Sequence, residues 1–139
     1  MKIRQSFEQA ICILLLIGAN DNAIKSHELS EILNVSDSYL KKITRQLVVG
    51  GFITSRASKL GGFVLNKELK DISLLDIFEV IEGREKFAET TLLVEKVFSS
   101  DFKVKKTEAM IVNHLNEAEE LYKKKLQEIS LFDIVETAR

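Results

Sequence analysis

SHELSEILNVSDSYLKKITRQLVVGGFITSRASKLGGFVL, residues 26–65, reads as helix, tight turn, helix and a short two-stranded wing. Ser26 precedes His27, Glu28 and Leu29, and Leu29, Ile32 and Leu33 share one helical face. Asn34-Val35-Ser36 has the length of turn that helix-turn-helix units use. Ser36 is placed to cap a second helix, with Leu40, Ile43, Thr44 and Leu47 inward and Ser38, Lys41, Lys42 and Arg45 outward. Gly50-Gly51 stops it. Phe52-Ile53-Thr54-Ser55-Arg56 and Phe63-Val64-Leu65 are strand-like, joined by residues 57–62. A helix with a polar, basic outer face, followed by a basic hairpin, points to a reader of duplex DNA.

The charge distribution supports this more than the total does. Net charge over the 139 residues is −1. Residues 1–66 carry a net +3 and residues 67–139 a net −4, and residues 36–62 hold five basic side chains to one acidic. Positive charge is therefore concentrated on the proposed reading element, and the acidic remainder is expected to face away from DNA.

With 45% hydrophobic residues the chain can build a core without staples, and the absence of proline leaves its helices uninterrupted. A mainly α fold with a small β-hairpin wing is expected. The lone Cys12 has no intramolecular disulfide partner and fits a reducing cytoplasm. Lys2 and Arg4 precede an apolar run at residues 10–17, which imitates a secretory signal. Glu8 interrupts the approach, no small-residue cleavage site follows, and the run is too short to span a bilayer. It is read as a buried first helix over residues 3–17, with burial on nearly every side and no membrane partner. Cys12 lies within it: a small buried hydrophobe on the simplest reading, a sensor thiol only if exposed and easily ionised.

Beyond the wing, Ile72-Ser73-Leu74-Leu75-Asp76 is a helix start with a capping box, in which Asp76 reaches back to Ser73. Leu74, Ile77, Phe78 and Ile81 follow at helical spacing, and Gly83 ends the element. The same start recurs as Ile129-Ser130-Leu131-Phe132-Asp133. It is capping chemistry used twice, since nothing around it repeats. Residues 84–106 read as a loop with a short helix about Leu92, Leu93, Val97 and Phe98. Thr107 is expected to cap a long helix to about residue 128, in which Ile111, Leu115, Ala118, Tyr122 and Ile129 form a coiled-coil-like stripe widened by Leu121 and Leu126. A helix of that length points to a homodimer, whose two-fold symmetry would suit a palindromic operator. The domains are thus read as 1–83 for DNA binding, 84–106 as linker, and 107–139 for dimerisation with a closing helix.

Contacts to DNA divide into those that hold phosphate and those that read bases. Ser36 and the free N–H groups at the start of its helix can face a phosphate, and Lys41 is the flexible point charge suited to another. Ser38, Tyr39, Lys42 and Arg45 are spaced to enter the major groove, where Arg45 can fork onto a guanine. In the wing, Arg56 and Lys59 flank a glycine-containing turn able to approach the minor groove. Ser26, Ser55 and Gly61 complete the candidate contact set.

These stretches resemble the Rrf2-type transcriptional regulators in order and spacing. The likeness is carried by Ser38-Tyr39-Leu40-Lys41-Lys42-Ile43, Leu47, Gly51-Phe52-Ile53, Ser55-Arg56, Gly61-Gly62-Phe63-Val64-Leu65, Ile72 to Ile77 and Ile81-Glu82-Gly83. Ile129 to Ile134 resembles the family's closing helix start. The resemblance implies a winged helix-turn-helix, dimerisation through the long helix and, usually, repression. By position it implies base reading by Ser38, Tyr39 and Lys42, and a minor-groove role for Arg56 and the turn before Gly61. Two departures stand out. Ala57 replaces the glycine that commonly follows the wing arginine. Many members also hold an iron–sulfur cluster on three cysteines between the fourth helix and the dimer helix, and residues 84–106 here contain none. Glu85, Glu89 and Glu95 are hard oxygen ligands unsuited to that cluster. No metal or other cofactor is expected, and neither His27 nor His114 has metal-ligand spacing.

The reading is therefore a homodimeric, DNA-binding repressor without a cluster, switched by a small-molecule effector or by thiol stress at Cys12. The alternative is a winged-helix protein-interaction module that has lost DNA binding. Lys41, Lys42 and Arg45 argue against it, because a partner-docking face is more often apolar. An enzyme is not expected: there is no phosphate-cradling glycine loop and no nucleophile–base signature.

Overall fold

The computed structural model describes residues 4–57, 59–91 and 93–139. Its helices are α1 (Gln5–Ala19), α2 (Ser26–Leu33), α3 (Asp37–Val49), α4 (Leu74–Glu82), α5 (Asp101–Gln127) and α6 (Leu131–Ala138). An antiparallel hairpin, β1 (Ile53–Arg56) and β2 (Gly62–Leu65), stands between α3 and α4. Short 3-10 turns occur at Leu69–Asp71 and Leu93–Lys96. The fold is thus mainly α with a two-stranded wing. The chain forms two compact units: Arg84–Lys125, and the residues through Gly83 joined by Leu126–Arg139.

The larger unit is organised around α1. Phe7, Ala10, Ile13, Leu14 and Ile17 are buried along one stripe, and α1 packs on α3, α4, β2 and α6. Phe7 meets Phe78 of α4 edge to face, with ring centroids 5.7 Å apart. The expected all-round burial is not realised, for Ile11, Cys12, Leu15 and Leu16 are only half-buried. The helix begins at Gln5, and Lys2, Ile3 and Leu92 of the sequence reading lie outside the described residues. In α2, Leu29 is fully buried but Ile32 is exposed, because the short helix turns only a narrow face inward.

The two capping boxes form as the sequence predicts. Ser73 Oγ accepts from the Asp76 N–H and Asp76 Oδ2 from the Ser73 N–H, and Ser130 and Asp133 repeat the pattern. The two starts also pair with each other in an antiparallel bridge. This brings Leu131 into the core of the larger unit with no exposed surface; full burial of such a side chain stabilises by about 1.5–3 kcal/mol. The closing helix is therefore part of the larger unit.

In the smaller unit α5 starts at Asp101, so Thr107 lies inside the helix and caps nothing. Lys103, Lys105 and Lys106 are exposed around the buried Val104, and residues 101–106 are helix where loop was expected. The segment after α4 is tied to α5 by two carboxylates, Glu108, which accepts from the Thr90 hydroxyl at 2.6 Å, and Glu119. Glu119 is only 4% exposed. Its Oε1 accepts from the Phe87 N–H at 2.7 Å, and its Oε2 lies 3.1 Å from Lys123 Nζ. The Phe87 bond and the lysines hold its carboxyl below the ordinary value, against the opposing effect of burial. Phe87 also meets Tyr122 edge to face at 5.6 Å.

Candidate DNA interface

The site begins with a turn. Asn34 takes the left-handed conformation, φ 53°, that ends α2, and the Val35 N–H returns to the Ser30 carbonyl. Ser36 then caps α3, its Oγ accepting from the Tyr39 N–H at 3.3 Å. Four positions of α3 are buried, Leu40, Ile43, Thr44 and Leu47, matching the inward face read from the sequence. The Thr44 hydroxyl is satisfied on its own helix by donating to the Lys41 carbonyl, 3.1 Å. Inward anchoring leaves Ser38, Lys41, Lys42 and Arg45 exposed together on the outer face, with Tyr39 half-buried at its edge.

The wing is fixed from behind. Its register pairs Ile53 with Leu65 and Arg56 with Gly62. Ile24, just before α2, adds a third edge: its N–H donates to Phe63 O at 3.1 Å and its carbonyl accepts from Phe63 N–H at 2.7 Å. Gly62 has φ 136°, and a Cβ there would lie 2.5 Å from the Ile24 carbonyl oxygen. Only glycine fits this crossing. Asn66 closes the base of the hairpin by donating to Gly51 O and Phe52 O.

Ser55, Arg56 and Lys59 are exposed on the wing, and Ser36 on the turn. Ser26 is the first helical residue of α2 and half-buried, with Lys25 at the cap position. Gly61 is buried, and it lines the same cleft as Arg56 and Lys59. Two exposed apolar residues were not anticipated: Leu60 at the wing turn, 89% exposed, and Val49 at the end of α3, 82%. A cleft of about 800 Å³ between the wing and the α1–α2 connection is lined by Lys25, Arg56 and Lys59 and also by Asp21 and Glu28.

An exposed basic helix face capped at its start, beside an anchored basic wing, is a geometry for duplex DNA. Comparison with known proteins decides which kind. The Rrf2 family model, described as "Iron-dependent Transcriptional regulator", matches residues 3–137. The chain belongs to the Rrf2 family. Like the relatives below, this Rrf2 protein is a DNA-binding transcriptional regulator. YffB of Lactococcus lactis subsp. lactis (strain IL1403), named an HTH-type transcriptional regulator, is 36% identical over 138 residues, covering 98% of this chain and 88% of YffB. YwgB of Bacillus subtilis (strain 168), named likewise, is 38% identical over 103 residues, 73% of this chain and 66% of YwgB. The solved structure of CymR, the global cysteine regulator of B. subtilis, shares the fold with a TM-score of 0.70 at 19% identity, covering 99% of this chain and 98% of CymR. IscR of T. potens does so with a TM-score of 0.69 at 21% identity, covering 100% and 89%.

The iron named in the family description does not fit this Rrf2 chain as an iron–sulfur cluster. The only cysteine is Cys12, on α1, and residues 84–106 offer carboxylates but no thiolate. Among the described residues no group of three or more His, Cys, Asp or Glu could hold a metal ion. Cys12 is half-buried, and burial and the nearby Glu8 both push its thiol pKa up, away from the reactive thiolate. No helix among the described residues is long and apolar enough to cross a membrane.

Of the stripe read for dimerisation, Ile111 and Leu115 are 44% and 46% exposed, and Ala118 is exposed beside them. Tyr122 is engaged by Phe87 of its own unit, and Leu126 is half-buried. Ile129 lies beyond α5 in the turn to α6, where its carbonyl accepts from Leu74. Leu121 is more than half exposed, and Met110, which the sequence reading did not include, is also more than half exposed.

Proposed function

We propose that this regulator is a homodimeric, cytoplasmic repressor that reads a palindromic operator with the outer face of α3 and holds the flanking backbone with its wing. One observation carries the reading: Ser38, Lys41, Lys42 and Arg45 are exposed together while the opposite face of the same helix is buried. Lys42 and Arg45 read base edges, aided by Ser38 and Tyr39. Lys41 and the amide groups at the Ser36 cap hold phosphate. Ser55, Arg56 and Lys59 serve the backbone and minor groove. Ser26 is the weakest of the set because it is half-buried, and Gly61 shapes the wing rather than touching DNA.

Dimerisation is supported by the outward apolar stripe of Met110, Ile111, Leu115, Ala118 and Leu121 on a 27-residue helix. Two copies joined along α5 would present two α3 helices to half-sites one helical turn apart. Its signal is a small molecule or thiol stress at Cys12; the raised pKa of that thiol weighs toward the small molecule.

Genome-wide mapping of bound sites tests this. Recovery of an inverted repeat with half-sites one turn apart is expected, together with higher transcription of the adjoining genes when the regulator is deleted. Absence of any enriched motif would favour a winged-helix protein-interaction module.

A further inference from the structure

We infer that Leu60 is a specificity residue: from the wing turn it meets the floor of the minor groove and rejects the 2-amino group of guanine, so that the pairs under the wing must be A·T. The inference rests on the operator reading above and adds to it a residue and the base atom that it senses. The hairpin's last pair is Arg56 with Gly62, and Leu60 stands in the turn beyond it, 89% exposed. Its neighbour Lys59 and the strand-end Arg56 are exposed as well. The turn is held from behind, because Gly62 crosses the Ile24 backbone and Phe63 exchanges two hydrogen bonds with Ile24. An apolar side chain is thus carried between two cations at the end of an anchored hairpin.

The chemistry of the groove gives that combination a meaning. On the minor-groove side A·T and T·A present only acceptors, whereas G·C adds the guanine N2–H2 donor. Arginine and lysine side chains are donors only, so Arg56 and Lys59 can answer the acceptors of A·T and of phosphate. Leucine can answer nothing. Set against guanine, Leu60 would cover the 2-amino group and leave its N–H unpaired, and a donor stripped of water without a partner is costly. Set against A·T, the same side chain fills the groove without covering a donor. Leucine is also among the side chains that minor-groove proteins press against base steps.

Selection from a duplex library of random sequence, with the full-length parent and with Leu60→Asn in parallel, tests this. The parent should enrich a core motif flanked by A·T pairs. Leu60→Asn should enrich the same core with relaxed flanks, because the asparagine carbonyl can accept from guanine N2. The selected duplex is then remade with a flanking A·T changed to G·C or to inosine·C, which lacks the 2-amino group and matches G·C in the hydrogen-bonding edge of the major groove. The parent should bind the inosine duplex about as well as A·T and the G·C duplex about tenfold more weakly, within the cost of one wrong pair. Leu60→Asn should lose most of that difference, and Leu60→Ala, which removes bulk alone, should reduce it. A core motif with identical flanks in parent and variant, or an inosine duplex bound as poorly as G·C, would overturn this inference and leave α3 as the reader. Enrichment of no motif by the parent would overturn the operator reading and this inference with it.

Discussion

Ser73 and Ser130 face each other in an antiparallel bridge, with the Leu74 N–H on the Ile129 carbonyl and the Leu131 N–H on the Ile72 carbonyl, both at 2.9 Å. Each serine also caps its own helix. One short exchange of hydrogen bonds thus joins two helix starts far apart in sequence, and it explains why the same Ile-Ser-Leu-x-Asp pattern occurs twice. The closing helix is attached through it to the unit that carries the reading face.

Ser73→Ala and Ser130→Ala should each lower stability by about 0.5–2 kcal/mol, the cost of losing a cap. Because the caps are in contact, the double variant should depart from the sum of the two. Urea unfolding of the four proteins checks this; strict additivity would mean that the bridge does not couple them.

Gly62→Ala should disturb the wing more than an ordinary glycine replacement. The added carbon meets Ile24 backbone at a positive φ, and a loss of about 1–3 kcal/mol is expected for strain of this kind. Amide exchange at Phe63 and Ile24 should quicken selectively. Unchanged protection there would contradict the anchoring of the wing by Ile24.

Glu119 predicts a pH dependence. Its folded pKa lies below its ordinary value of 4.5. Its contribution to stability is therefore complete above that value and is lost as pH falls through the lower, folded pKa. Glu119→Gln should be less stable than the parent at pH 7, and the gap should close as the pH is lowered below 4.5. A gap independent of pH would mean that the charge on Glu119 is unimportant and only its shape matters.

Ile111→Glu with Leu115→Glu should convert the protein to monomer without unfolding it, since both side chains are already about half exposed in the single chain. Sedimentation velocity would show the change in mass and circular dichroism the retained helix. A dimer that survives both charges is held elsewhere.

The sequence was most informative where one period governs one face. Leu40, Ile43, Thr44 and Leu47 fall at helical spacing, and all four are buried. The capping boxes were equally legible because Ser and Asp three residues apart act locally. Tertiary choices were not. Asp101 to Lys106 resembled a loop because lysines crowd it, yet lysine is a good helix former and only Val104 needs cover. Nothing in the sequence marks Glu119, whose partners are the Phe87 N–H from a distant segment and Lys123. In the site, the exposed face of α3 was readable, whereas neither the burial of Gly61 nor the close approach of Gly62 to the Ile24 backbone is encoded by a local pattern.

Operator affinity of Lys42→Ala combined with Arg45→Ala is the most direct test of the claim that α3 reads DNA. Both side chains are exposed and leave the core untouched. Base contacts of this kind are each worth about 1–3 kcal/mol, so the double variant should bind its operator about a hundredfold more weakly while keeping its oligomeric state and melting temperature. Unchanged operator affinity in a folded double variant would contradict the account and take the recognition role away from this helix.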